Sequence, residues 1–120
     1  MNVLIVESEK DLGRIWMRHL ERHGMSVVLV STQDEAIDHM SDNEVDMIIL
    51  DLVLEGSSAL AVSDFANYRW PNARVIFVTN TTFFSDGSIF AHASNACAFV
   101  QAATPPEDLV AMVEHYAAAS

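Results

Sequence analysis

The sequence predicts a doubly wound α/β domain, a five-stranded parallel sheet with helices on both faces. Three observations carry this. Five short apolar runs recur along the 120 residues, at 3–6, 27–30, 47–50, 75–78 and 96–100. The runs are nearly continuous and rich in Val and Ile, the pattern of strands covered on both faces. Segments of helical period separate them, and β-α alternation of this kind implies parallel strands joined by right-handed crossovers.

Each element has its own signal. After the first run, Leu12, Ile15, Trp16 and Leu20 form one helical stripe, and Ser8 with Asp11 resembles a capping pair ahead of it. Gly24 marks the turn into the second run. Thr32 and Glu35 then have capping-box spacing, with Ala36, Ile37 and Met40 as the stripe behind them. Beyond the third run, Gly56 marks a turn and residues 60–68 form a weaker helical segment. Residues 84–94 form another such segment after the fourth run. After the fifth, Thr104 before Pro105 places a cap ahead of a proline at the first helical position. The last stripe is Leu109, Met112, Val113 and Tyr116.

Composition narrows the function classes. Hydrophobic residues make up 51%, enough for a core without staples. The single cysteine, Cys97, allows neither an internal disulfide nor a cysteine-spaced metal site. The N-terminus lacks the basic and long apolar regions of a signal peptide. No apolar run approaches the roughly 20 residues that span a bilayer. The net charge is −11, with 17 acidic residues against 6 basic ones, which argues against direct binding to nucleic acid or anionic membrane. The expectation is a soluble cytoplasmic protein, one domain over residues 1–120, with no effector segment after the last helix.

In an open parallel sheet, function gathers at the carboxyl ends of the strands. The residues found there are Glu7, Ser8 and Glu9; then Asp51; then Thr79 and Asn80; then Gln101, Ala102 and Ala103. With strand order 2-1-3-4-5, Glu7 and Asp51 lie side by side. Two such carboxylates repel, which raises the proton affinity of one unless a cation intervenes. Oxygen-only ligands suit Mg²⁺. Asp51 is also a possible nucleophile, because carboxylates form acyl-phosphate intermediates. The plainer reading, that these acids only cap loops and helices, stays open at this point.

Over essentially its whole length the sequence resembles the receiver domain of bacterial response regulators, which has a flavodoxin-like fold. Val3 to Glu9 resemble the family's first strand and acidic cluster, and Leu50 to Gly56 its phosphoacceptor segment. Val75 to Thr79 resemble the fourth strand with its switch hydroxyl, and Pro106 to Leu109 the start of the last helix. The resemblance implies that Asp51 is phosphorylated by a histidine kinase or phosphotransfer protein. It implies Mg²⁺ held by Glu7, Asp51 and the Val53 carbonyl, with Ser8 as a weak ligand. It also implies that Thr79 and Phe99 act as switch residues. They would change a face made of the fourth predicted helix, the fifth strand and the last helix, which binds an output protein or a second copy of the chain.

The departures are equally specific. Ser8 stands where the family usually has a second acid and main metal ligand. Glu7 is longer than the usual Asp. Ala102 and Ala103 stand where the family has Lys-Pro, so the lysine that contacts the phosphoryl group is missing. A trans bond and a reshaped loop are expected at Ala103. Glu55 replaces a common proline. The nucleophile survives while its electrostatic support is depleted, so the alternative is a degenerate receiver that binds partners without phosphorylation.

Two further classes fit less well. A flavodoxin-type cofactor site needs a phosphate-binding loop after the first strand, where this chain is acidic. An aspartate-based phosphohydrolase typically has a second Asp at the position of Val53. His19 and His23 have metal-pair spacing but no evident third ligand. Phe83, Phe84, Ile89 and Phe90 are core or a partner surface. Trp16 and Trp70 are read as core and turn residues, and Cys97 as an inert small hydrophobe.

Overall fold

The computed structural model describes residues 1–54, 58–79 and 96–118. In chain order these form β1 (Asn2–Val6), α1 (Lys10–Arg22), β2 (Ser26–Val30), α2 (Gln33–Asp42), β3 (Met47–Asp51), α3 (Ala59–Arg69), β4 (Arg74–Thr79), β5 (Ala96–Gln101) and α4 (Pro106–Ala118). The strands make one parallel sheet in the order β2-β1-β3-β4-β5, as the sequence predicts. The predicted helix at 84–94, with its aromatic cluster, lies outside the described residues, as do Glu55, Gly56 and Asn80.

Strand alternation divides the core into two layers. Leu4, Val6, Ile48, Leu50, Val75 and Phe77 face Ala36 and Met40 of α2 and Val62 and Ala66 of α3. Val3, Ile5, Ile49, Ile76, Val78 and Val100 face Trp16 and Leu20 of α1 and Leu109 and Val113 of α4. The central strands β1 and β3 are buried on both sides apart from their first or last residue. β2 departs from the two-sided burial that its sequence suggests. It is one of the sheet's two edge strands, and Val28 is 39% exposed.

The helix boundaries are local chemistry. The Thr32–Glu35 capping box forms, with the Glu35 N–H donating to Thr32 Oγ1 at 3.2 Å. The Glu35 carboxylate reaches back to the N–H of Ser31, one residue earlier than in the usual box. Hydrogen bonds from Ser31 hold its carboxyl below the ordinary value. Two predicted caps move. α1 is preceded by Glu9, with no side-chain cap, so Ser8 does not cap it. The Asp108 and Leu109 N–H groups both donate to the Pro105 carbonyl, so Pro105 is the cap and Pro106 the first helical residue. Thr104 instead closes a turn onto the Gln101 carbonyl at 2.9 Å. Gly24, at φ +82°, closes α1 in the left-handed conformation that glycine tolerates. Trp16 is core, as expected. Trp70 ends α3, where its indole N–H donates to the Met40 carbonyl at 2.8 Å and ties α3 to α2.

α1 sits unusually close to the edge strand. A methyl group at Gly13 would stand 2.6 Å from Leu29 Cδ1. Ala is favoured over Gly within a helix by about 1 kcal/mol, and displacing the end of a half-buried leucine costs a similar amount. Gly13→Ala is therefore expected to leave stability within about 1 kcal/mol of native, and to stabilise a Leu29→Ala background by about 1 kcal/mol. Urea unfolding of the four proteins checks this. An equal effect in both backgrounds contradicts the packing explanation.

Candidate functional site

Four strand ends meet at one edge of the sheet. Glu7 directly follows β1, Asp51 and Thr79 end β3 and β4, and Ala102 directly follows β5. The ladder of hydrogen bonds continues through them. The Glu7 N–H donates to the Val30 carbonyl at 3.0 Å, the Leu52 N–H to Val78 at 2.8 Å and the Ala102 N–H to Thr79 at 2.8 Å. With Val6 beside Leu50, alternation puts Glu7 and Asp51 in phase with Ile5 and Ile49, on the α1–α4 face. Thr79 is in phase with Phe77 on the opposite face, where Phe77 stacks on Phe99 with ring centroids 5.3 Å apart.

Above these ends lies an open cleft of about 510 Å³, lined by Glu7, Ser8, Asp51, Val53, Thr79, Ala102 and the first turn of α1. The structure thus brings together Glu7, Ser8, Asp51, Val53 and Thr79, while Gln101 and Ala103 do not line the cleft and Phe99 packs two positions below Thr79 along the sheet. Glu7 is only 3% exposed, Asp51 and Ser8 are half-buried, and Val53 is exposed. The Val53 N–H donates to Asp51 Oδ1 at 3.0 Å, and the Glu9 N–H to Glu7 Oε1 at 3.0 Å. These bonds fix the two carboxyl groups over the strand ends.

Their proximity has a cost. Burial, then the hydrogen-bonded Asp51 carboxylate and its charge, push the Glu7 carboxyl up to about 8, against a partial pull downward from the Glu9 N–H. Without a cation, Glu7 therefore holds a proton near neutral pH. The Glu7 and Asp51 carboxyl groups and the Ser8 and Thr79 hydroxyls, with no histidine or sulfur among the described residues of the cleft lining, suit a hard cation such as Mg²⁺, which needs only one or two protein carboxylates and keeps several waters. Among the described residues no group of three or more His, Cys, Asp or Glu side chains could hold a metal, so Glu9 adds no third acid. His19 and His23 form no such site either. His19 Nδ1 contacts the Ile15 carbonyl at 2.9 Å, and His23 lies 3.9 Å from the Glu114 carboxylate. Cys97 is half-buried, and burial pushes its thiol up, which suits an inert role. The peptide bonds of the described residues, Ala102–Ala103 included, are all trans.

The strand-end reading missed the first turn of α1. Asp11 and Leu12 line the cleft, and so does Lys10, the first residue of the helix. The available signal was that it is the only lysine in the chain and directly follows the acidic cluster.

The family model for the response regulator receiver domain matches residues 3–114. This chain belongs to that family. A receiver of known fold, the CheY-like response regulator receiver domain protein of Methanospirillum hungatei, aligns at TM-score 0.86 over 97% of this chain and 92% of its own, with 20% identity. The Thermotoga maritima response regulator TrrA, solved in complex with Mg²⁺-BeF, aligns at TM-score 0.80 over 95% of this chain and 96% of its own, with 21% identity. Both likenesses establish the fold. Among curated proteins, the transcriptional regulatory protein RstA of Escherichia coli is 26% identical over 92% of this chain. The chain spans 46% of RstA, less than half the length of the curated relatives it matches. No described helix of the receiver is long and apolar enough to cross a membrane.

The Glu7 proton makes stability depend on pH. The folded receiver keeps a proton that the unfolded chain releases above about pH 4.5, so this contribution is full below that pH and is lost as pH rises through about 8. In chelator, native stability is expected to fall relative to Glu7→Gln between about pH 5 and pH 8. Urea unfolding across that range gives the difference directly, and parallel profiles for the two proteins contradict the buried proton.

Proposed function

We propose that this receiver takes a phosphoryl group onto Asp51 from a histidine kinase or phosphotransfer protein in the cytoplasm, and passes the event to a protein-binding surface. The observation that carries this is the placement of Asp51. It is fixed at the end of a strand otherwise buried, half-exposed in a cleft, with a buried carboxyl on one side and the Thr79 hydroxyl on the other.

The chemistry follows from that placement. An Asp51 oxygen forms the O–P bond as the P–N bond of a phosphohistidine breaks, and the imidazole nitrogen keeps the electron pair. The Val53 N–H holds Asp51 Oδ1, which leaves the second oxygen to attack. Glu7 and Asp51 would hold Mg²⁺ together with the Val53 carbonyl, with Ser8 as a marginal ligand. When bound, Mg²⁺ supplies positive charge to the phosphoryl oxygens. Support comes from the oxygen-only donor set and from the Mg²⁺-BeF complex of TrrA. Thr79 donates its hydroxyl to a phosphoryl oxygen. Its movement is felt at Phe99 through the shared face of β4 and β5, where Phe77 lies between the two. The responsive surface includes β5 and α4, and its partner is an output protein or a second copy of the chain.

One observation favours a second reading. Ala102 puts no charge into the cleft, and Ser8 supplies no second acid beside Glu7. A receiver so depleted could bind its partner with no phosphorylation at all. Incubation with Mg²⁺ and acetyl phosphate separates the readings. The first expects a mass gain of one phosphoryl group, labile to hydroxylamine and absent in Asp51→Asn. No gain in the native chain supports the second reading, and a gain that persists in Asp51→Asn contradicts the assignment of Asp51.

A further inference from the structure

The cleft is short of positive charge. Its wall carries Glu7, Glu9, Asp11 and Asp51, and Lys10 is the one cationic side chain in it among the described residues. A phosphoryl group on Asp51 adds further negative charge at the same place. Phosphoryl transfer depends chiefly on neutralising that charge. Ala102, on the β5 side, cannot contribute.

We infer that Lys10 reaches across the cleft and binds the phosphoryl oxygens, entering from the α1 side. This rests on Asp51 being the phosphoacceptor. Lys10 is the first residue of α1, and helical side chains lean toward the helix N-terminus, here toward the strand-end loop and the cleft. The side chain is exposed and, among the described residues, in no ion pair. The neighbouring cation, Arg14, lies 3.9 Å from Asp11 and lines an adjoining hollow rather than the cleft. Lys10 borders both hollows, with Glu35 on the far side and Asp51 on the near one, so its ammonium group can move between them without rearranging the helix. The start of α1 has no side-chain cap, so its free N–H groups add positive potential on the same side. Lys10 acts as a point charge that the phosphoryl group attracts.

Two ligands separate this role from a structural one. Mg²⁺ binding is measured by calorimetry, and beryllofluoride binding at saturating Mg²⁺ by ¹⁹F NMR, in native protein, Lys10→Met, Lys10→Arg and Asp51→Asn. Lys10→Met should weaken beryllofluoride by roughly tenfold at low ionic strength, and by less as salt rises. It should leave Mg²⁺ binding unchanged or slightly tighter, because a repelling charge has gone. Lys10→Arg should retain most of the native affinity for beryllofluoride. Native affinity in Lys10→Met overturns the inference, as does a parallel loss of Mg²⁺ and beryllofluoride. A native chain with no Asp51-dependent adduct overturns the phosphoacceptor reading itself, and this inference with it.

Discussion

The parallel pairing of β1 with β3 is the constraint on which the site depends. Val3 to Val6 run in register with Met47 to Leu50, so the next residue of each strand must emerge at the same height and on the same face. Those residues are Glu7 and Asp51. Neither carboxylate chooses its neighbour, because the buried apolar ladder beneath them fixes the distance. A one-residue slip of either strand would turn Leu4 and Val6, or Ile48 and Leu50, out of their layer, so the core's burial energy enforces the register. The folding free energy of an apolar sheet thereby holds two like charges together.

That forced proximity connects stability to function. A protonated Glu7 relieves the repulsion in the absence of a cation, and a bound divalent ion would relieve it by replacing the proton. The same cleft would then have the charge to meet a phosphoryl group. The remaining support is uneven. The β5 side ends in Ala102, held to Thr79 through its backbone and carrying no charge, while the α1 side carries Lys10. Its electrostatics therefore lean toward α1 rather than β5.

Much of this was legible in the sequence, for definite reasons. Central parallel strands bury both faces, so the apolar runs at β1, β3 and β4 marked themselves, and the acid or hydroxyl at the end of each run stood out. β2 was over-read because Val27 to Val30 look like a central strand, although the expected strand order already puts it at an edge. The caps at Ser8 and Thr104 were each misplaced by one residue. Sequence marks a capping side chain, but it does not mark where the backbone first turns helical, and at Pro105-Pro106 either proline could open the helix. The strength of the Glu7 perturbation needed its burial, and Lys10 needed the position of α1 over the cleft. Neither is visible along a strand.

The most direct test of the account is where a divalent ion sits. With Mn²⁺ as a paramagnetic stand-in for Mg²⁺, amide resonances near the bound ion broaden in ¹H–¹⁵N spectra. Broadening at substoichiometric Mn²⁺ should be strongest at Glu7, Ser8 and Asp51 to Val53, should be competed away by Mg²⁺, and should be lost in Asp51→Asn. Broadening centred instead on the exposed acids of α2, such as Asp34 and Asp38, and unaffected by Asp51→Asn, would contradict it.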